Sequence, residues 1–149
     1  MAKIRTLRRC RLFSSLNYRD LAILASHVSE EKAEKEMLIS EEGKPSSGVV
    51  IIKKGKVCLK LHHQENVELE IGPEDFFGEL SLIEGTQIRS INAVVLEPCE
   101  YLQIDLENYH HLMVEAPDVS AKIAWGILAS VKEKMESTRD LIKDILRTH

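Results

Sequence analysis

Phe76-Phe77-Gly78-Glu79-Leu80-Ser81-Leu82-Ile83-Glu84-Gly85, running on into Thr86-Gln87-Ile88-Arg89-Ser90, is the stretch around which the chain is organised. It predicts a tight turn, one short helical turn, a loop and the start of a strand. Gly78 and Gly85 bracket the helical piece, and glycine tolerates the backbone angles that such junctions need. A helix start leaves backbone N–H groups unpaired, and these attract an anion. Arg89 supplies a permanent positive fork suited to a phosphate. Ser90 adds a hydroxyl donor. Glu79 accepts hydrogen bonds and repels anions, so it suits a neutral hydroxyl beside that phosphate. The set asks for a ligand with a phosphate and a sugar hydroxyl side by side. The plainer alternative is an ion pair between Glu79 and Arg89 that closes the turn.

Gly78-Glu79-Leu80-Ser81-Leu82, with Arg89-Ser90 at this separation, resembles the phosphate-binding cassette of the cyclic nucleotide-binding domain family, in the spacing of the catabolite activator group. Gly72-Pro73-Glu74-Asp75 resembles the family's turn into the cassette. Gly43, Gly55 and Gly78 fall at its turn positions, and Leu12-Phe13-Ser14-Ser15-Leu16 is similar to its N-terminal helical segment. The likeness covers nearly the whole chain. It implies that Glu79 holds the ribose 2′-hydroxyl and Arg89 pairs with the cyclic phosphate. Ser90 and the backbone of Gly78, Leu80 and Ser81 would complete the cradle. The chain departs from the pattern at Gln87-Ile88, where many relatives have Pro, at Ile91, often Ala, and at Gly48, frequently Asp.

The 149 residues suffice for one domain with a real core. A hydrophobic fraction of 44% and a charged fraction of 30% are those of a globular protein. The formal net charge of −4 argues against a general nucleic-acid surface. No apolar run is long enough to span a bilayer, and the basic N-terminus is followed by no signal-like segment. The chain is expected to be cytoplasmic, without membrane contact. Cys10, Cys58 and Cys99 are odd in number and fit no zinc or redox spacing. They are expected as buried or half-buried thiols.

Residues 1–29 predict two short helices, with Leu7, Phe13, Leu16, Leu21, Leu24, Ala25 and Val28 inward and Asn17 capping the second. Residues 30–106 change texture. Met37–Ser40, Val49–Ile52, Val57–Leu61, the strictly alternating Val67–Ile71, Ser90–Val95 and Glu100–Ile104 read as strands. The Lys53–Lys56 turn and the Pro98 turn separate two pairs of them. Many short strands imply an antiparallel barrel or sandwich. The expected fold is mainly β: a jelly-roll antiparallel β-barrel with N-terminal helices and a long C-terminal helix. The cassette would occupy residues 76–93.

Residues 107–149 are helical. Asp105 caps a short helix, and Pro117 opens a long one. Ala124, Leu128, Val131, Met135, Thr138, Ile142 and Ile145 repeat in steps of four and three, a heptad seam. About 28 residues at ~1.5 Å rise give roughly 40 Å, which outreaches a small barrel. A parallel homodimer through Val119–Leu146 is expected; a monomer with the helix folded back is the alternative. Trp125 is expected in the core, with a lid over the pocket mouth or a place on the barrel wall as alternatives.

Other constellations carry less. His62-His63 lie in a turn and His110-His111 are likewise adjacent, so neither pair makes a chelate; no metal site is expected. No nucleophile elbow is present, and no enzyme activity is expected. Arg8-Arg9-Cys10-Arg11 reads as a solvated helix face rather than a nucleic-acid or lipid site.

The resemblance therefore implies a stand-alone regulatory domain for a cyclic mononucleotide, cAMP rather than cGMP, with no further cofactor. Leu59 and Ile71 would line the purine site, and Lys134, Met135 or Thr138 of the long helix would meet the base. The helix would signal to an unidentified effector protein. Relatives in the catabolite activator group continue into a helix-turn-helix; with the sequence ending at His149, no specific DNA binding is expected. The alternative is a nucleotide-free barrel serving as a dimerisation or protein-interaction scaffold.

Overall fold

A computed structural model describes residues 2–45, 48–61, 68–84 and 91–148. In chain order the elements are α1 (Ala2–Arg9), a 3₁₀ turn (Arg11–Phe13), α2 (Tyr18–Ala25), β1 (Ser29–Ala33) and β2 (Leu38–Ser40). Next come β3 (Val49–Leu61), β4 (Glu68–Ile71), β5 (Phe76–Phe77) and α3 (Ser81–Glu84). The chain continues with β6 (Ile91–Ile104), α4 (Leu106–Glu115) and α5 (Pro117–Thr148).

The N-terminal helices form as their sequence dictates. Asn17 Oδ1 accepts from the Asp20 amide at 2.9 Å, and Asp20 Oδ2 accepts from the Asn17 amide at 3.0 Å. This reciprocal box satisfies two donors at the start of α2. At its other end, Lys3 Nζ donates to the carbonyls of Ala25 and Val28, which ties α1 to the negative pole of α2. Leu7, Phe13, Leu16, Leu21, Leu24 and Val28 are buried, as their spacing requires.

Two long strands carry the sheet. β3 and β6 pair antiparallel from Val49↔Ile104 to Leu61↔Ile91. β1 lies on the second half of β6 (Ser29↔Gln103 to Ala33↔Cys99), and β5 on the first half of β3. β2 lies on the first half of β6, and β4 on the second half of β3. Two four-stranded halves, β1-β6-β3-β5 and β2-β6-β3-β4, thus share the long pair. This is the expected antiparallel β architecture with flanking helices, but among the described residues the pairing path is open and does not close into a barrel.

The supposed turns at Lys53–Lys56 and Pro98 are bends inside continuous strands. The ladder shifts register between Ile52 and Val57, opposite Glu97–Glu100. Both strands change direction together, so neither reverses. Gly55 sits in the left-handed region at φ +98, and a Cβ there would lie 2.5 Å from the Pro98 carbonyl oxygen. Glycine permits that approach, and proline supplies no amide to a ladder already broken at this point. β1, which the sequence reading did not anticipate, is polar and mostly exposed, held by its pairing with β6. In β4 only Ile71 is buried; Leu69, on the face expected to be apolar and inward, is exposed.

Alternation along β3 sends side chains to two cores. Val49 and Ile51 face the helices, packing with Leu12, Phe13, Leu102, Ile104, Leu112, Val119, Ile123 and Ile127. Val50 and Ile52 face the sheet interior with Val57, Ile71, Phe77, Ala93, Val95 and Cys99. The unbroken apolar run 49–52 is therefore buried on both faces. All three cysteines are free and buried.

Asp105 caps α4 by accepting from the Asn108 amide at 2.7 Å, and Pro117 opens α5, as expected. Val119, Ile123 and Ile127 form the packed face of α5. Gly126 crosses the 3₁₀ turn so closely that a Cβ would lie 2.0 Å from the Leu12 carbonyl oxygen. Lys122 Nζ reaches the buried Asp20 carboxylate at 2.6 Å. Beyond Ile127 the contact of α5 with the body thins, continuing through Val131. Leu128, Met135, Ile142 and Ile145 of the seam are exposed, and Val131 is half-buried. Trp125 is 69% exposed and is not a core residue. It neighbours Ala124 and Gly126, and the packed face at 123 and 127 points nearly half a turn away from it. Among the described residues no helix is long and apolar enough to cross a membrane.

Candidate functional site

The cassette begins where β5 ends. Gly78 adopts φ +83, a left-handed conformation open to glycine at little cost, and this turns the chain from β5 into the short helix. Amides of Ser81, Leu82 and Ile83 donate to the carbonyls of Gly78, Glu79 and Leu80. Ser81 Oγ also donates to the Gly78 carbonyl, at 2.6 Å. Both donors of Ser81 thus brace the turn. α3 is the one short helical turn expected from the sequence.

Glu79 is the exceptional residue of this turn. It is a carboxylate only 3% exposed. Burial of an unpaired charge is strongly unfavourable, so such a group is paired or neutralised. Here Lys134 Nζ donates to Glu79 Oε1 at 2.6 Å. The lysine comes from α5, 55 residues along the chain, and most of its side chain remains in solvent. Its neighbour Glu133 pairs with Arg11 of the 3₁₀ turn. Two adjacent residues of α5 therefore reach two different parts of the body. A second sign of negative potential lies nearby. The Cys10 thiol is pushed up to about 12, chiefly by burial, with the carboxylates of Asp75, Glu79 and Glu74 adding to the effect.

Leu80, Val131, Lys134, Met135, Thr138 and Ile142 are among the residues lining a largely apolar cavity of about 480 Å³ between the cassette turn and α5. All three helix residues singled out from the sequence, Lys134, Met135 and Thr138, thus come together beside the cassette. Leu59 and Ile71 sit elsewhere: Ile71 is buried in the sheet interior, and Leu59 packs half-buried against the same cluster. Gly78, Glu79, Leu80 and Ser81 are contiguous at the turn. Arg89 and Ser90 lie outside the described residues, as do Gly85 and the His62-His63 pair. His110 and His111 are exposed on α4, and among the described residues no group of three or more metal-ligating side chains occurs. The residue whose part sequence reasoning missed is Lys134, named there for the base and found on the carboxylate. No local pattern marks it, because the pairing depends on where α5 passes the cassette turn.

The sequence model of the cyclic nucleotide-binding domain matches residues 30–115. The chain is 28% identical over 134 residues to the cyclic AMP receptor protein of Thermus thermophilus, covering 88% of this chain and 61% of that protein. It is 22% identical over 123 residues to the cAMP-activated global transcriptional regulator CRP of Pasteurella multocida, covering 80% and 57%. The chain thus spans about three fifths of the length of these curated relatives. A cyclic nucleotide-binding domain of Methylobacillus flagellatus superposes with a TM-score of 0.79 at 19% identity, over 95% of this chain and 80% of that one. That likeness is one of fold. With the domain model matched over more than half its length, on strands, cassette and α4 together, the chain belongs to the cyclic nucleotide-binding domain family.

Proposed function

We propose that this chain is a sensor module that binds a cyclic mononucleotide, cAMP in preference to cGMP, and passes the event to a partner protein through α5. The observation that carries the reading is the buried Glu79 carboxylate, set at the cassette turn and joined to α5. A buried acceptor of this kind suits a neutral hydroxyl donor such as a ribose 2′-hydroxyl. By the family's pattern, Arg89 and Ser90 take the phosphate, with the amide of Leu80; the Ser81 amide, expected to join them, is held by the Gly78 carbonyl. The names of the two bacterial relatives support cAMP as the ligand class. The domain has a regulatory role in this reading and no catalytic one, and it works in the cytoplasm. Calorimetric titration with cAMP and cGMP tests it. Micromolar binding of cAMP, weaker binding of cGMP and loss of both on Arg89→Leu are expected; no heat with either nucleotide refutes it.

The exposed apolar seam of α5 supports a second element, a parallel homodimer. Leu128, Met135, Ile142 and Ile145 recur at heptad spacing on one helix, the pattern by which two copies cover each other. Sedimentation of the wild-type chain should give a dimer, and Ile142→Glu a monomer. A dimer without nucleotide binding would favour the scaffold reading. A wild-type monomer refutes the dimer alone.

A further inference from the structure

Lys134 occupies one oxygen of the carboxylate that the proposed site depends on. The contact is short, 2.6 Å to Oε1. Glu79 Oε2 has no partner among the described residues. A carboxylate has about four acceptor directions, and one ammonium does not exhaust them. Glu79 itself is buried, whereas the Lys134 side chain is 67% exposed and is held at its tip. The acidic partner is therefore fixed by the fold, and the basic one reaches in to it.

We infer that Lys134 is a positioning residue for the ligand: by clamping Oε1 it fixes the carboxylate rotamer so that Oε2 faces the ligand's 2′-hydroxyl. Two consequences separate this from a plain structural salt bridge. Lys134 acts only through the hydroxyl, so a ligand lacking that hydroxyl is indifferent to it. It also places the tie on α5, so that hydroxyl recognition and the position of the helix are read by one pair of side chains. An arginine keeps the clamp, because its fork also spans a carboxylate oxygen. Methionine keeps the length and removes the charge.

The inference rests on the cyclic-nucleotide reading above, and the test keeps the two apart. Cyclic AMP and its 2′-deoxy analogue are titrated calorimetrically into the wild-type chain, Lys134→Met and Lys134→Arg. Lys134→Met should weaken cyclic AMP by about tenfold or more, the scale of a hydrogen bond to a charged group. It should leave the 2′-deoxy analogue unchanged, and Lys134→Arg should restore most of the loss. Equal weakening of both nucleotides, or of neither, overturns the role of Lys134 while leaving the sensor intact. Binding of neither nucleotide by the wild-type chain overturns both. Should Lys134→Met not fold, Glu79→Met is compared with Glu79→Met/Lys134→Met, in which the buried charge and its acceptor oxygens are gone. Equal cyclic AMP affinity in these two upholds the inference, because the lysine then has no carboxylate to act through; a further loss in the double variant overturns it.

Discussion

Gly126→Ala should destabilise this protein, although helix propensity alone says the reverse. In a helix interior alanine is favoured over glycine by about 1 kcal/mol. Gly126 lies in the first third of α5, where that gain would apply in full. But a Cβ at this position falls 2.0 Å from the Leu12 carbonyl oxygen and 2.9 Å from its carbon. Both are backbone atoms, so no side-chain rotation relieves them. The 3₁₀ turn must move off α5 by an ångström or more, and Leu12, Ile123 and Ile127, all fully buried, must part with it. Overpacking of this kind costs about 1–3 kcal/mol, and a backbone clash belongs at the upper end. Set against the propensity gain, the net loss is about 2 kcal/mol. For a chain of this size that corresponds to roughly 6 °C in Tm. Thermal unfolding followed by far-UV circular dichroism measures it, with Gly126→Val as a harsher companion. An unchanged or raised Tm for Gly126→Ala would refute the close crossing.

Three further outcomes follow from burial and charge. Hydrogen bonding from Lys122 holds the Asp20 carboxyl below the usual carboxylate range, against the opposing effect of burial. A depressed pKa contributes stability that is complete above the unfolded value of about 3.9 and fades as pH falls through the folded one. The stability gap between wild type and Asp20→Asn should therefore be steady from pH 6 to about 5 and narrow in stronger acid, as read by urea midpoints; a gap that widens in acid sinks the assignment. Burial pushes the Cys99 thiol up to about 11 and Cys10 to about 12, so a thiol-reactive dye at pH 8 should label neither until the chain is unfolded. Trp125→Ser should change stability by no more than about 0.5 kcal/mol, as exposed sites do, whereas Ile123→Ala should cost about 2–5 kcal/mol; comparable losses would contradict the orientation of α5.

Local chemistry made much of the fold legible. Asn17, Asp105 and Pro117 each stand at the helix start that their backbone preferences dictate. The cassette turn was legible too, because Gly78 is needed for a left-handed corner. The bends in β3 and β6 were not. Gly55 and Pro98 carry the same local signals in a reversing turn and in a shared bend, and only the pairing of the two strands distinguishes them. β1 escaped for a related reason: Ser29-Glu30-Glu31-Lys32 has no apolar alternation, and its order comes from β6. The heptad count identified the exposed seam of α5 but not the face that packs on the body, since Val119, Ile123 and Ile127 run at a spacing of four beside it. At the site, Glu79 was legible as chemistry. Its burial, and its partner on α5, depend on a crossing between segments distant in sequence.

The point at which α5 leaves the body has a mechanical consequence. The tight grip on α5 ends at Ile127, with Val131, Glu133 and Lys134 in lighter contact with the body, and about twenty residues, roughly 30 Å at ~1.5 Å each, run on past it. A swing of about ten degrees at that grip would sweep the free tip through roughly 5 Å, close to one helical turn. Lys134 stands about 10 Å out along this arm, so a displacement there of under 2 Å, no more than the difference between a made and a broken hydrogen bond, would be magnified about threefold at the tip.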